Sequence, residues 1–322
     1  MKLETIGDTK PYPRFDPDLA GRLNKLAESP TRGDPKKGTE LPKLGDGFNV
    51  TVDDLVNRGN DDFYCGDKNV GQKYKGIPAD SYVGVPISLE KCLKWAGDNN
   101  GIVAILPYLI AGLSKAKPDH WLRQRWHTCY SEEFSGVDTE GVYSKGKSIV
   151  VVQHGIELLL PDRIRKSYNE GLTPHNGAKL TVDEWKKVLT SSIPLYTVED
   201  VKKGKVKNPF GSYRVVLGFD KAKATISNYQ DKNTFANNDL VIARAGTLEY
   251  IEPYFDNIQS GGTVGNWHRF GEIDPKISQG RVLFVDYDDF GLLGDYILDN
   301  YARFVVAPEA QGNNSLMGRA KK

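Results

Sequence analysis

Long runs of apolar residues alternate with helical patterns through the second half of the chain. Near-continuous apolar runs of this length are typical of strands that are covered on both faces of a sheet. Four of them predict strands, at Ser148–Gln153, Tyr213–Phe219, Arg281–Tyr287 and Ala302–Ala307. A shorter run, Leu240–Ala243, also predicts a strand.

Helical signals lie between these runs. Pro161 is predicted to begin a helix that ends at Glu170, because proline favours the first turn and Gly171 follows the last. Further helices are predicted over Thr181–Thr190, where Thr181 and Glu184 form a capping-box pattern, over Thr197–Lys203 and over Leu248–Ile258. The alternation predicts an α/β fold, with a mostly buried sheet and helices on both faces.

The first half of the chain is predicted to be more helical and more irregular. Ser88 is expected to cap a helix over Leu89–Ala96, and Gly101–Ala116 reads as a helix or as a strand followed by a helix. Pro118 is expected to begin a helix that reaches Cys129. Thr51 is a further candidate for a helix start.

The proposed domain organisation follows from these patterns. Residues 1–48 are rich in proline, glycine, lysine and aspartate, which predicts an extended or flexible arm. Residues 49–147 are predicted to be a mainly helical region, residues 148–308 an α/β core and residues 309–322 a polar tail.

Composition narrows the classes of function. The chain has 322 residues, 39% of them hydrophobic, so it can bury a core of ordinary size. Its 43 Lys and Arg nearly balance its 42 Asp and Glu, which argues against a general nucleic-acid partner. No apolar run reaches the roughly 20 residues of a transmembrane helix, so no membrane partner is expected. Three widely spaced cysteines and the lack of an apolar leader segment favour reduced thiols and a cytoplasmic location.

Polar residues followed by glycine end three of the predicted strands. His154 precedes Gly155, Arg244 lies two residues before Gly246, and Asp286 begins an acidic run that ends before Gly291. Ligands of open α/β sheets bind beyond the carboxyl ends of parallel strands. If the strands are parallel, these three side chains would therefore face one crevice.

The residue types in this pattern suggest roles. His154 or His268 would be the general acid or base, and Asp286 would be the orienting or metal-binding carboxylate. Arg244 would hold a carboxylate or phosphate, and the glycine-rich loop adds Trp267 and Arg269 to a substrate-binding set. The simpler interpretation is that strand ends turn polar because they meet water.

Other kinds of site are weaker candidates. His154, His268, Asp286 and Asp288 are acceptable metal ligands, but no HExxH spacing occurs and the aspartate run does not fit a calcium loop, so no metal is predicted. Cys129 fits a packed core thiol better than a nucleophile. No phosphate-binding glycine motif is present, so no cofactor is predicted.

Two hypotheses of function remain. The favoured one is an enzyme, similar to a hydrolase or a lyase, that acts on a small polar or anionic small-molecule substrate at the strand ends. The alternative is a non-catalytic binding or assembly protein that uses its N-terminal arm for subunit contacts in a homo-oligomer.

Overall fold

The computed structural model describes residues 64–65, 85–98, 101–124, 126–175, 177–286, 291–294 and 302–308. All of them lie in the unit 41–322, which is one of the two units into which the chain divides. The predicted arm 1–48, the polar tail 309–322 and the helix start at Thr51 lie outside the described residues.

The α/β class is confirmed, because helices and strands alternate through the described residues. The helices are α1 Val85–Asp98, α2 Leu106–Lys115, α3 Pro161–Glu170, α4 Val182–Thr190, α5 Val198–Lys202, α6 Phe219–Ala224, α7 Lys232–Ala236, α8 Asp239–Ala245 and α9 Ile251–Ile258. The strands are β1 Tyr64–Cys65, β2 Gly101–Val103, β3 His127–Val137, β4 Ser148–His154, β5 Ala178–Lys179, β6 Leu195–Thr197, β7 Tyr213–Gly218, β8 Asn228–Gln230, β9 Val264–Trp267, β10 Gln279–Val285, β11 Leu292–Leu293 and β12 Phe304–Pro308.

The sheet is mixed and its centre is antiparallel. Its main path runs β6-β7-β4-β3-β10-β11-β9-β8. β3 is antiparallel to both β4 and β10, and β4 is antiparallel to β7. The predicted crevice assumes parallel strands, and this assumption is therefore wrong. Because both are antiparallel to β3, β4 and β10 run in the same direction, and their C-terminal ends lie on the same side of the sheet.

Two predicted elements are wrong. Leu240–Ala243 lies in α8 and not in a strand, because the Asn238 side chain accepts the N–H groups of Leu240 and Val241 at the helix start. Gly246 ends this helix with a left-handed φ of 66°. A run of four apolar residues does not distinguish the two states.

The helix predicted from Pro118 to Cys129 is replaced by a short 3-10 helix at Trp121–Gln124 and by the start of β3. β3 has 11 residues and pairs with a strand on each side. Side chains on both of its faces are buried, so the polar and apolar alternation that marks a half-exposed strand is missing.

Helices cover both faces of the centre of the sheet. Ser131 and Glu133 of β3 point to the face covered by α8, where His154 reaches the Ala243 carbonyl. Phe134 and Gly136 point to the opposite face, where Trp185 of α4 packs. No helix within the described ranges is long and apolar enough to cross a membrane.

Candidate functional site

Arg244 lies in the interior and is bound by groups of the protein itself. Its Nε and Nη2 donate to the two carboxylate oxygens of Glu133 at 2.9 and 3.2 Å, and both side chains are at most 1% exposed. Its Nη1 donates to Asn266 Oδ1 at 2.7 Å and to the Trp267 carbonyl at 3.0 Å. We call these four residues the Arg244 clasp. It joins α8 to β3 and β9, and the guanidinium has no exposed surface to offer a substrate anion.

Gly294, which follows β11, lies directly against the clasp. Its N–H donates to the Trp267 carbonyl at 3.0 Å, and its own carbonyl accepts from Arg281 Nη1 at 2.8 Å. A Cβ at this position would meet Arg244 Nη2 and Glu133 Oε1. The backbone of residue 294 is therefore held from both sides without any side chain of its own.

His154 is fully buried, and both nitrogens of its ring are engaged. Nε2 lies 3.3 Å from the Ala243 carbonyl, which only accepts, so Nε2 carries the proton. Nδ1 lies 3.1 Å from Ser131 Oγ, which accepts the Leu106 N–H and donates its own hydrogen to the ring. Burial lowers the pKa of His154 to about 3, so the ring is neutral at ordinary pH and out of contact with solvent.

His268 is also buried and neutral. The Phe270 N–H donates to its Nδ1 at 3.4 Å, and its Nε2 lies 3.0 Å from Thr225 Oγ1 and 3.2 Å from the Thr225 carbonyl. Burial, together with the nearby Arg244 charge, lowers the pKa of His268 to about 4.

Asp286 and Arg269 each bind a residue outside the Arg244 clasp. Asp286 is half-buried just after β10, and its N–H donates to the Gly291 carbonyl at 2.8 Å in the β10–β11 connection. Arg269 forms a 3.0 Å ion pair with the neighbouring Glu272. Of the six predicted site residues, His154, Arg244, Trp267 and His268 thus lie around α8 and the end of β9.

Trp267 and Tyr229 form an aromatic corner at the edge of the sheet. Their rings meet edge to face, with centroids 5.4 Å apart and planes at 85°. Tyr229 pairs with Gly265, and alternation places Trp267 on the same face two residues further along β9, so the two rings are diagonal neighbours. Trp267 is half-buried and Tyr229 is 38% exposed.

β8 is the terminal strand of the main path, and its edge is partly closed by its own side chain. The Tyr229 N–H donates to Asn228 Oδ1 at 2.7 Å. Beside it, Ile226 is 50% exposed. Sequence reasoning missed Tyr229, since a three-residue strand between polar neighbours leaves almost no periodic signal.

The described residues give no support to the two alternative sites, a nucleophilic Cys129 and a metal ion. Cys129 is fully buried, and burial raises the pKa of its thiol well above the ordinary value, which disfavours the thiolate that a nucleophile requires. Among the residues that the structure describes, no three His, Cys, Asp or Glu side chains are grouped so as to hold a metal ion. Asp288 lies outside these residues.

Comparison with known proteins gives one likeness of fold. No family model and no curated protein matches the chain. A solved structure described as "Accommodation of massive sequence variation in Nanoarchaeota by the C-type lectin fold" matches it with a TM-score of 0.53 and 24% sequence identity. The match covers 69% of this chain and 92% of that chain. At this identity the likeness concerns the fold alone, so the chain is similar to a C-type lectin fold in its overall architecture.

Proposed function

We propose that this protein is a non-catalytic binding protein whose ligand contacts the aromatic corner of Tyr229 and Trp267. The observation that carries the proposal is the Arg244 clasp, which binds the main chain of β9 at the residue whose side chain forms the corner. A binding surface gains affinity when its contact residues are held in place before the ligand arrives. Half-exposed aromatic rings supply large contact areas at a low cost in side-chain entropy.

The likeness of fold supports the same interpretation. The similar structure is described as a fold that accommodates massive sequence variation. In this chain the elements next to the corner are held by buried residues and by main-chain bonds, such as those of Gly294, which do not depend on exposed side chains. A framework of this kind can keep its shape while surface residues differ.

The enzyme hypothesis stays a prediction. It requires a histidine or an arginine that can touch a substrate, whereas His154 and Arg244 are both 0% exposed and bound internally. The assembly hypothesis also stays a prediction, because the arm 1–48 lies outside the described residues. A cytoplasmic location is retained as part of the proposal and rests on the wide spacing of the three cysteines and on the free, buried thiol of Cys129.

Binding arrays test the proposal across many ligand chemistries at once. Wild-type protein, Trp267→Ala and Tyr229→Ala would be screened on a glycan array and on a peptide array. Tyr143→Ala is a matched control, because Tyr143 is as exposed as Tyr229, at 38%, but lies in the β3–β4 connection. We expect at least one probe to bind wild type and Tyr143→Ala, and to lose about tenfold or more in affinity, some 1.4 kcal/mol, on both corner variants. If every retained probe binds the corner variants as well as wild type, the ligand face has been wrongly assigned.

A further inference from the structure

His268 connects the two sides of the aromatic corner. It directly follows Trp267 in the chain, and its N–H donates to Ser227 Oγ at 2.9 Å, while Ser227 Oγ donates to the His268 carbonyl at 2.8 Å. Ser227 precedes β8, two residues before Tyr229. A displacement of His268 would therefore move the main chain next to both rings of the corner.

The ring of His268 is held in a form that a second proton would disrupt. Nε2 faces the Thr225 carbonyl, so it carries the hydrogen of the neutral ring, and Nδ1 accepts the Phe270 N–H. Protonation of Nδ1 would place two N–H donors against each other. The turn from His268 to Phe270 would then lose the bond that closes it.

The charges around the ring also oppose a proton. The groups whose charges act on His268 are Arg244 on α8, Arg281 on β10 and Glu133 on β3. Glu133 is already bound at both oxygens by Arg244. A protonated His268 would be a third cation beside one carboxylate in a buried region, where like charges repel strongly.

We propose that protonation of His268 opens the aromatic corner, so that this protein releases its ligand in acid. The inference rests on the proposed binding function and adds its regulation. The neutral ring holds Trp267 and Ser227 in register, and the charged ring breaks the Phe270 bond and moves away from Arg244 and Arg281. Because the pKa of His268 is lowered from 6.5 to about 4 in the folded protein, the closed form is fully favoured above pH 6.5, and this preference is lost as the pH falls through 4.

The fluorescence of Trp267 tests this step without a ligand. Its emission is obtained as the difference between wild type and Trp267→Phe, each titrated from pH 7 to pH 3, with far-UV circular dichroism recorded in parallel. In the wild type we expect a reversible change in Trp267 emission centred near pH 4, at which the far-UV signal is retained. His268→Gln can make both ring bonds through its amide but cannot titrate. Its transition should be absent or at least about one pH unit lower.

His175→Gln is the matched control. His175 is a more exposed histidine whose Nε2 is hydrogen-bonded to the Glu272 carbonyl at 3.2 Å, outside the corner, and this variant should follow the wild-type curve. An unchanged midpoint in His268→Gln, or a Trp267 change that coincides with loss of far-UV signal, would overturn the proposal. If His268→Gln does not fold, NMR of labelled wild type decides: the His268 ring and the Trp267 indole N–H should titrate together.

Binding measurements separate this inference from the proposed function. A probe retained on the arrays would be measured at pH 7 and pH 4 for wild type and His268→Gln. Loss of binding at pH 4 in the wild type, with little pH dependence in His268→Gln, supports the release mechanism. If binding depends on Trp267 but weakens equally at pH 4 in wild type and His268→Gln, the aromatic corner is the ligand face and His268 does not control release. If binding does not depend on Trp267, the aromatic corner is not the ligand face, and the proposed release of ligand fails with it.

Discussion

Arg244 and Glu133 form a buried bidentate ion pair, in which both side chains are at most 1% exposed. The sequence predicted a bidentate grip on an anion, and the guanidinium makes such a grip on the Glu133 carboxylate. The partner lies 111 residues away in the sequence, in a part of β3 for which the sequence predicted no element, so no local pattern could reveal it. The pair does not need to add net stability to matter, because its value here is the fixed position of β9.

Gly294→Ala tests the clasp with a single methyl group. The Cβ would lie 2.8 Å from Glu133 Oε1 and closer still to Arg244 Nη2, so the ion pair has to shift. Gly294 is not in the left-handed region, so backbone strain does not contribute. We expect the free energy of unfolding to fall by about 3 kcal/mol or more, as for other disrupted buried ion pairs, in urea titrations.

Gly271→Ala is the control for this measurement, since a Cβ at Gly271 would have no heavy atom within 4 Å. Its free energy of unfolding should stay within about 0.5 kcal/mol of wild type. Equal free energies of unfolding for the two alanine variants would mean that the Arg244 clasp can shift without loss of stability, and that it does not fix the end of β9.

At the scale of elements, α4 is the clearest case of a helix whose start is determined by residues that are close together in the sequence. Thr181 Oγ1 accepts the Glu184 N–H at 3.2 Å, and Glu184 Oε2 accepts the Thr181 N–H at 2.9 Å, as the capping box predicted. Thr181→Ala should lower the free energy of unfolding by about 1 kcal/mol in urea titrations, while Thr181→Ser keeps the acceptor and should lose only a few tenths. Equal losses in the two variants would assign the effect to the threonine methyl group and not to the cap.

The contrast between α4 and β3 explains what could be predicted. Caps, prolines and glycines act over three or four residues, and some of the helices that carry them were predicted at or near their observed bounds, as for Pro161–Glu170, although the helix predicted from Pro118 was wrong. β3 depends on partners that come later in the chain, and residues buried on both of its faces give no period. The sequence analysis placed His154, Arg244 and Asp286 in one crevice on the assumption of parallel strands, and the assignment of the site stays a prediction. The role of such a residue depends on its burial and its hydrogen-bond partners, which no local pattern reveals.

At the scale of the whole molecule, the sheet runs across the boundary proposed at residue 148. β3 precedes that boundary and pairs with β4 and β10, which follow it. The division into regions stays a prediction, and the centre of the sheet draws on residues from both sides of it. β3 also carries a buried acid on each face, Glu133 in the Arg244 clasp and Glu132 on the opposite side.

Glu132 makes the stability of the whole protein depend on pH. Its carboxyl group accepts the N–H groups of Glu157, Leu158 and Leu159 at 3.3, 3.2 and 2.5 Å. Burial nevertheless raises the pKa of Glu132 to about 8, with these three bonds acting in the opposite direction. A raised pKa in the folded state stabilises the protein below the unfolded value of about 4.5, and this contribution is lost as the pH rises through 8.

The window from pH 7 to pH 8 isolates this effect, because His154 and His268 are neutral in the folded protein there and largely neutral in the unfolded chain. In urea titrations at constant ionic strength, wild-type stability should fall by about 1 kcal/mol over this interval. Glu132→Gln should remove most of the slope, whereas Glu140→Gln, an exposed glutamate between β3 and β4, should keep it. A flat wild-type profile would mean that the three N–H donors outweigh burial. The carboxylate would then be ionised and would hold residues 157–159 as a charged acceptor, and Glu132→Gln would instead lower stability equally at both pH values.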